Sequence, residues 1–206
     1  RFDVRFNNLD VLDKYIDAKQ GCLLLGTHLG SFEVLRTLAV SNKTLPLKIT
    51  MYAKHNQMIT DLLDALNPDI AKTVIDLADD DVLFQTQDAL EKGFFVGMLG
   101  DRVIGNGKTT QCTLLGSPVD IPLGPLTLAS IFKVPVILFF GLYQGKNRYD
   151  IYFEELTTSV TSSRKERDKV VQQWTQQYVD RIEYYMKNSP YNWFNFYDYW
   201  KDGKSQ

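Results

Sequence analysis

The sequence predicts an α/β fold, a single domain with a mostly parallel central sheet flanked by helices. Three observations carry that expectation. Short β-rich runs alternate with stretches of helical periodicity, the order that yields parallel strands joined by crossover helices. The 206 residues, 44% hydrophobic and 23% charged, suit one full core. No internal repeat and no linker-like segment divides the chain, so residues 1–206 read as one unit.

The elements follow in order. "FDVRF" reads as a strand and precedes a helix over about 8–18; "CLLLG" reads as a strand and precedes a helix over about 31–40. "LKITMYA" is a strand before a helix over about 57–66. A helix over 82–91 ends at Gly93, a residue suited to the left-handed position after a helix, and leads into the strand "FFVGML". After a loop come "CTLLG", a helix over 126–132, and the strands "VPVILFFGLY" and "YDIYFEEL". The segment from 163 to 187 reads as one long helix with Val170, Val171, Trp174, Tyr178 and Ile182 on its apolar face.

Charge and cysteine usage remove several function classes. A net charge of −2 gives no global basic field, so nucleic acid is not an expected partner. Two histidines and two cysteines, Cys22 and Cys112, form no ligand cluster, so no metal and no cofactor is expected and both thiols are read as free. "VPVILFFGLY" is far too short to span a bilayer. The chain opens at Arg1, without a Met and inside a strand, so a native N-terminal segment, which could hold a membrane anchor, is expected to be missing.

The chemistry centres on "GTHLGSFEVLR", residues 26–36. On a regular helix, positions five apart point about 140° away from each other, so His28 and Glu33 meet only if His28 sits on the loop after the strand. Gly26 and Gly30 give the backbone freedom for such a turn. A turn of this kind offers a base, an orienting carboxylate, and N–H groups for a developing oxyanion. The plainer alternative is a polar cap, with Thr27 or Ser31 starting a helix and His28 incidental.

"THLGSFE" resembles the HX4(D/E) motif of the lysophospholipid and glycerolipid acyltransferase superfamily, in a setting similar to the lipid A late acyltransferase branch. Further matches run in order through Tyr52, "EKGFFVGMLGDR", "LLGSPVDIPLGPLTLASIFKVPVI" and an aromatic run with Trp193, covering residues 1 to about 200. The resemblance implies an O-acyltransferase that moves a fatty acyl chain from an acyl thioester, on acyl carrier protein or CoA, to a hydroxyl of a lipid acceptor. His28 would be the general base and Glu33 its orienter. Gly30, Ser31, Lys54, Asp101 and Arg102 are the expected substrate contacts. The expected site of action is the cytoplasmic face of a bacterial inner membrane, bound peripherally or through the missing anchor. The branch tends to have Gln or His after this Asp and Arg after this Tyr, where the chain has Arg102 and Ala53–Lys54. These departures point away from the lipid A disaccharide and towards a smaller acceptor, such as a lysophospholipid, an ornithine- or glycine-type lipid, or a carrier-linked aryl polyene lipid. The rival functions are a lipid- or carrier-binding module without turnover, and an acyl-thioester hydrolase. No Gly-x-Ser-x-Gly elbow is present to support a serine hydrolase.

Other motifs carry less. "GDRVIGNGKTT" ends like a phosphate loop, but the pattern requires Gly where Arg102 stands. Arg102 either grips a phosphate or pairs with Asp101 or an acidic neighbour, and Asp101 orients it or the loop; His55 is read as a surface turn residue. Seven of the ten residues in "YNWFNFYDYW" are aromatic. The run either packs against the sheet or forms an interfacial belt on lipid, and Tyr199 and Trp200 are its expected membrane-facing tips.

Overall fold

The computed structural model describes residues 3–32, 34, 45–52, 73–159 and 165–200. Among them the strands are β1 (Asp3–Asn7), β2 (Cys22–Gly26), β3 (Leu47–Met51), β4 (Val74–Asp76), β5 (Phe95–Leu99), β6 (Thr109–Leu114), β7 (Ser117–Pro122), β8 (Val136–Tyr143) and β9 (Arg148–Thr157). The helices are α1 (Asp10–Asp17), α2 (Val82–Glu91), α3 (Gly124–Phe132) and α4 (Arg167–Asn188). Seven strands form one sheet in the order β1-β9-β8-β2-β5-β3-β4, and every pairing is parallel except β8 with β9. The α/β expectation is met. The helices expected over 31–40 and 57–66 fall almost wholly outside the described residues.

The sheet is buried on both faces, as parallel sheets are. β2 lies at its centre with all five residues buried. Its alternation feeds two cores: Leu23 and Leu25 pack with Val96, Leu138 and Phe140 under α3 and α4, while Cys22 and Leu24 pack with Phe95, Ile137 and Phe139 under α1. On α4, Val171, Tyr178 and Ile182 are buried and Val170 and Trp174 pack partly buried, which is the face its periodicity predicts.

α2 ends as read. Gly93 takes a positive φ of 83°, its N–H donates to Leu90 O, and the Phe94 N–H donates to Ala89 O. That pair of bonds is the Schellman closure of a helix. The sequence reading misses two elements. β4 is a three-residue edge strand, too short for any periodicity. β7 pairs antiparallel with β6 around a two-residue turn at Leu115 (φ 52°) and Gly116 (φ 80°). Pro118 and Pro122 conceal it, since proline reads against a strand yet is tolerated on an edge strand, which β7 is.

The outer edge of that hairpin is covered by α4. The Gln176 side chain accepts from the Thr113 N–H at 2.9 Å and donates to Thr113 O at 3.1 Å, and Glu183 accepts from the Leu115 N–H at 2.6 Å. A free strand edge would otherwise expose unpaired main-chain groups. Gln176→Leu is expected to cost about 1–2 kcal/mol, the net worth of two such bonds, read as a lower urea midpoint at unchanged slope.

Candidate active site

The site lies at the carboxyl ends of the central strands, where open parallel sheets place their ligands. β2 and β5 run side by side with Gly26 opposite Leu99. Two residues beyond each strand end stand His28 and Asp101, so the register brings together groups 73 positions apart. The contact is double. His28 Nδ1 lies 2.8 Å from Asp101 Oδ1, and the His28 main-chain N–H donates to Asp101 Oδ2 at 3.0 Å. Asp101 is 1% exposed and the His28 side chain 31%. A carboxylate oxygen accepts, so Nδ1 carries the proton and the lone pair belongs to Nε2.

The turn after His28 is held by close backbone contact. Gly30 has φ 85°, and a Cβ there would overlap the Gly141 carbonyl oxygen of β8. A Cβ on Gly141 would in turn stand 2.6 Å from Ser31 O, so both positions need glycine. The Ser31 N–H donates to Gly141 O, the Gly30 N–H to Asn192 O, and the Leu29 N–H to Thr27 Oγ1. With the His28 N–H on Asp101, all four N–H groups from 28 to 31 are engaged. This corrects the expectation that the turn leaves N–H groups open for an oxyanion.

Asn192 locks the same corner. Its side chain accepts from the Tyr143 N–H at 2.6 Å and donates to Tyr143 O at 3.0 Å, imitating a neighbouring strand at the end of β8. Leu29 and Trp193 form a bridge beside it. The segment that follows reaches the Asp101 loop, where the Tyr199 hydroxyl donates to Asp101 O at 2.6 Å. Nothing local in the sequence marks Asn192 or Tyr199 as part of the site.

His28 lines a mostly apolar cavity of about 630 Å³, within the ordinary range for a small-molecule site. Thr50 and Tyr52 from the β3 end, Met98 and Leu99 of β5, and Leu123 to Pro125 at the start of α3 line it too. Arg102 and Lys108 bring positive charge to its wall. Arg102 does not pair with Asp101 as one reading expects. It donates to Phe194 O at 2.7 Å, lies 5.5 Å from the Tyr197 ring centroid, and keeps a buried Nε without a partner among the described residues. Glu33, Lys54 and His55 lie outside the described residues. Of the expected substrate contacts, Arg102 lines the cavity, Asp101 faces the imidazole, and Gly30 and Ser31 serve the turn.

Both thiols are free and buried. Burial pushes Cys22 up to about 12 and Cys112 up to about 11, so neither is a thiolate nucleophile at neutral pH. Among the described residues no group of His, Cys, Asp or Glu could hold a metal ion, and no helix is long and apolar enough to cross a membrane.

No curated protein matches the chain. The family model for bacterial lipid A biosynthesis acyltransferases matches residues 1–202, nearly the full length. That family is membrane-associated, and its activity implies an acyl donor and a lipid acceptor. A match of this extent, over a chain whose His28, paired with Asp101, lines an apolar cavity, shows that the protein belongs to the bacterial lipid A biosynthesis acyltransferase family.

Proposed function

We propose that the chain transfers a fatty acyl group from a thioester, on acyl carrier protein or CoA, to a hydroxyl of a lipid acceptor. The observation that carries this reading is the imidazole of His28, held through Nδ1 by Asp101 at the wall of an apolar cavity. Nε2 removes the acceptor's hydroxyl proton as its oxygen attacks the thioester carbonyl carbon. Collapse of the tetrahedral intermediate breaks the C–S bond, and the imidazolium returns the proton to the departing sulfur. A thioester is already activated, so no covalent acyl-enzyme is needed. Asp101 fixes the tautomer and stabilises the imidazolium, and Glu33, the carboxylate of the HX4(D/E) motif, is a second orienter. The first turn of α3, whose macrodipole places positive charge at the cavity wall, supports the oxyanion that the engaged turn cannot.

The test is thioester consumption with and without a lysophospholipid acceptor. Consumption only with acceptor supports transfer; consumption without acceptor supports the hydrolase, and binding without consumption supports the non-catalytic module. His28→Ala is expected to lower kcat by about 10²–10⁴, the usual worth of a positioned base, with the fold retained. Asp101→Asn is expected to fall in the same range because an amide no longer selects the tautomer. Glu33→Ala is expected to lose less than His28→Ala. Wild-type turnover in the His28 variant would refute the mechanism.

The unpartnered Nε of Arg102 supports a grip on a phosphate, of the acceptor or of the donor's pantetheine arm. Arg102→Lys keeps the charge and loses the planar fork, so KM for one substrate is expected to rise about tenfold with kcat little changed.

Exposed apolar groups around Arg102 support membrane contact, and the cytoplasmic face of the inner membrane is what the resemblance implies. Arg102, followed by the exposed Val103 and Ile104, bonds Phe194 O and lies against Tyr197, the neighbour of Phe196 (90% exposed). The aromatic run therefore divides. Tyr199 and Trp200, the expected membrane tips, are turned inward: both pack on Trp193, and the Trp200 Nε1–H donates to Leu114 O. Replacing Phe194 and Phe196 by Ser is expected to weaken sedimentation with phospholipid vesicles about tenfold or more, since each exposed ring is worth roughly 1.5–3 kcal/mol when buried. Added salt is expected to matter little, because screening acts on charge. Unchanged sedimentation would exclude this surface.

A further inference from the structure

We propose that two tyrosines, the buried Tyr178 and the partly buried Tyr199, are positioning residues for the reaction, fixing the main chain that carries His28 and Asp101. The inference rests on His28 as the base and adds what holds that base in register.

Tyr178 comes from the middle of α4 and reaches the end of β2. Its hydroxyl donates to Gly26 O at 2.7 Å, and the Gly100 N–H donates to the same oxygen at 3.2 Å. One carbonyl therefore ties α4, the strand end two residues before His28, and the residue immediately before Asp101. Tyr199 acts on the other loop, through its bond to Asp101 O. Neither ring lines the cavity, so neither acts by touching a substrate there.

The chemistry favours a role for the hydroxyls beyond packing. A phenol buried among apolar groups is costly unless it is bonded, and phenylalanine would fill either space without that cost. Both hydroxyls find main-chain carbonyls of the two loops that carry the pair. Tyr15 and Tyr185, by contrast, donate to the carboxylates of Glu155 and Glu154, on β9. Burial first, and then the charge of Asp101, pushes both phenols upward, so each remains a donor at any working pH. The His28–Asp101 contact needs two loops from different strands in register to a few tenths of an ångström. A small slip of either one would misdirect Nε2, and misplacement of about 1 Å can cost ~10² in rate.

The test uses the full chain with His55→Gln, which leaves His28 as its one histidine. The ring N–H proton of His28 that bonds Asp101 is followed by proton NMR and identified by its loss in His28→Ala. In Tyr178→Phe and in Tyr199→Phe this proton is expected to exchange with water several-fold faster. In each variant kcat is expected to fall about tenfold with KM within about twofold. The unfolding temperature is expected to drop by only about 2–4 °C, the worth of one hydrogen bond in a chain of this size. Exchange and kcat that both stay at the parent's values would overturn the proposal. So would a rate loss with unaltered exchange, or one matched by loss of folded protein. If the parent chain transfers no acyl group while the Phe variants still speed exchange, the functional reading fails and the positioning stands.

Discussion

One carboxylate organises the site. Asp101 accepts from both the main-chain N–H and the ring of His28, so the position of the loop and the orientation of the imidazole are set by the same two oxygens. This is possible only because β2 and β5 are adjacent, parallel and in register, with Gly26 opposite Leu99. A shift of one residue would turn every side chain of β2 to the other face and unmake both cores along with the pair. The packing that stabilises the sheet thus also specifies the chemistry. Leu23, Leu24 and Leu25 hold the register by dividing between two cores, and the residues beyond Gly26 inherit it.

The turn that follows trades open donors for rigidity. With the N–H groups of residues 28 to 31 all engaged, His28 sits on a backbone with little freedom, which suits the base proposed for it. The same bonding denies that backbone to an oxyanion. In the proposed reaction the demand for a positive dipole would fall on another element around the cavity, and the start of α3 lines it. The absence of Cβ atoms at Gly30 and Gly141 lets β8 come close enough to supply one of the closing carbonyls.

How much of this could be read from the sequence depends on range. β2, α2 with its Gly93 stop, α3 and the buried face of α4 are written in local periodicity and end signals, and the structure has them where that pattern puts them. The β6–β7 hairpin escapes because Pro118 and Pro122 mask its second strand and Leu115 occupies a turn position that usually signals itself with Asn or Gly. The site divides in the same way. His28 is visible from its motif after a strand. Its pairing with Asp101 is not, because strand order across 73 residues is a tertiary fact and Asp101 has Arg102 as a more obvious neighbour. Tyr199 and Phe196 stand three positions apart in one aromatic run, and composition cannot say that one holds the active site while the other faces solvent.

That division bears on why the run is so aromatic. The segment from Trp193 to Trp200 has no regular structure beyond a short bridge, so its own backbone bonds cannot hold it in place. Large rings supply the missing order. Trp193, Tyr199 and Trp200 meet nearly edge to face at 5.1–5.7 Å, an arrangement that adds about 0.5–1.5 kcal/mol per pair beyond burial. Hydroxyl and indole N–H tips then reach main-chain carbonyls of the Asp101 loop and the hairpin. A buried carboxylate such as Asp101 is tolerated only when its surroundings are fixed and its bonds are made. A packed aromatic segment meets that condition without lengthening the sheet. The rings it leaves outside, Phe194 and Phe196, are carried on the same short stretch, so a surface that engages them is mechanically close to the His28–Asp101 pair.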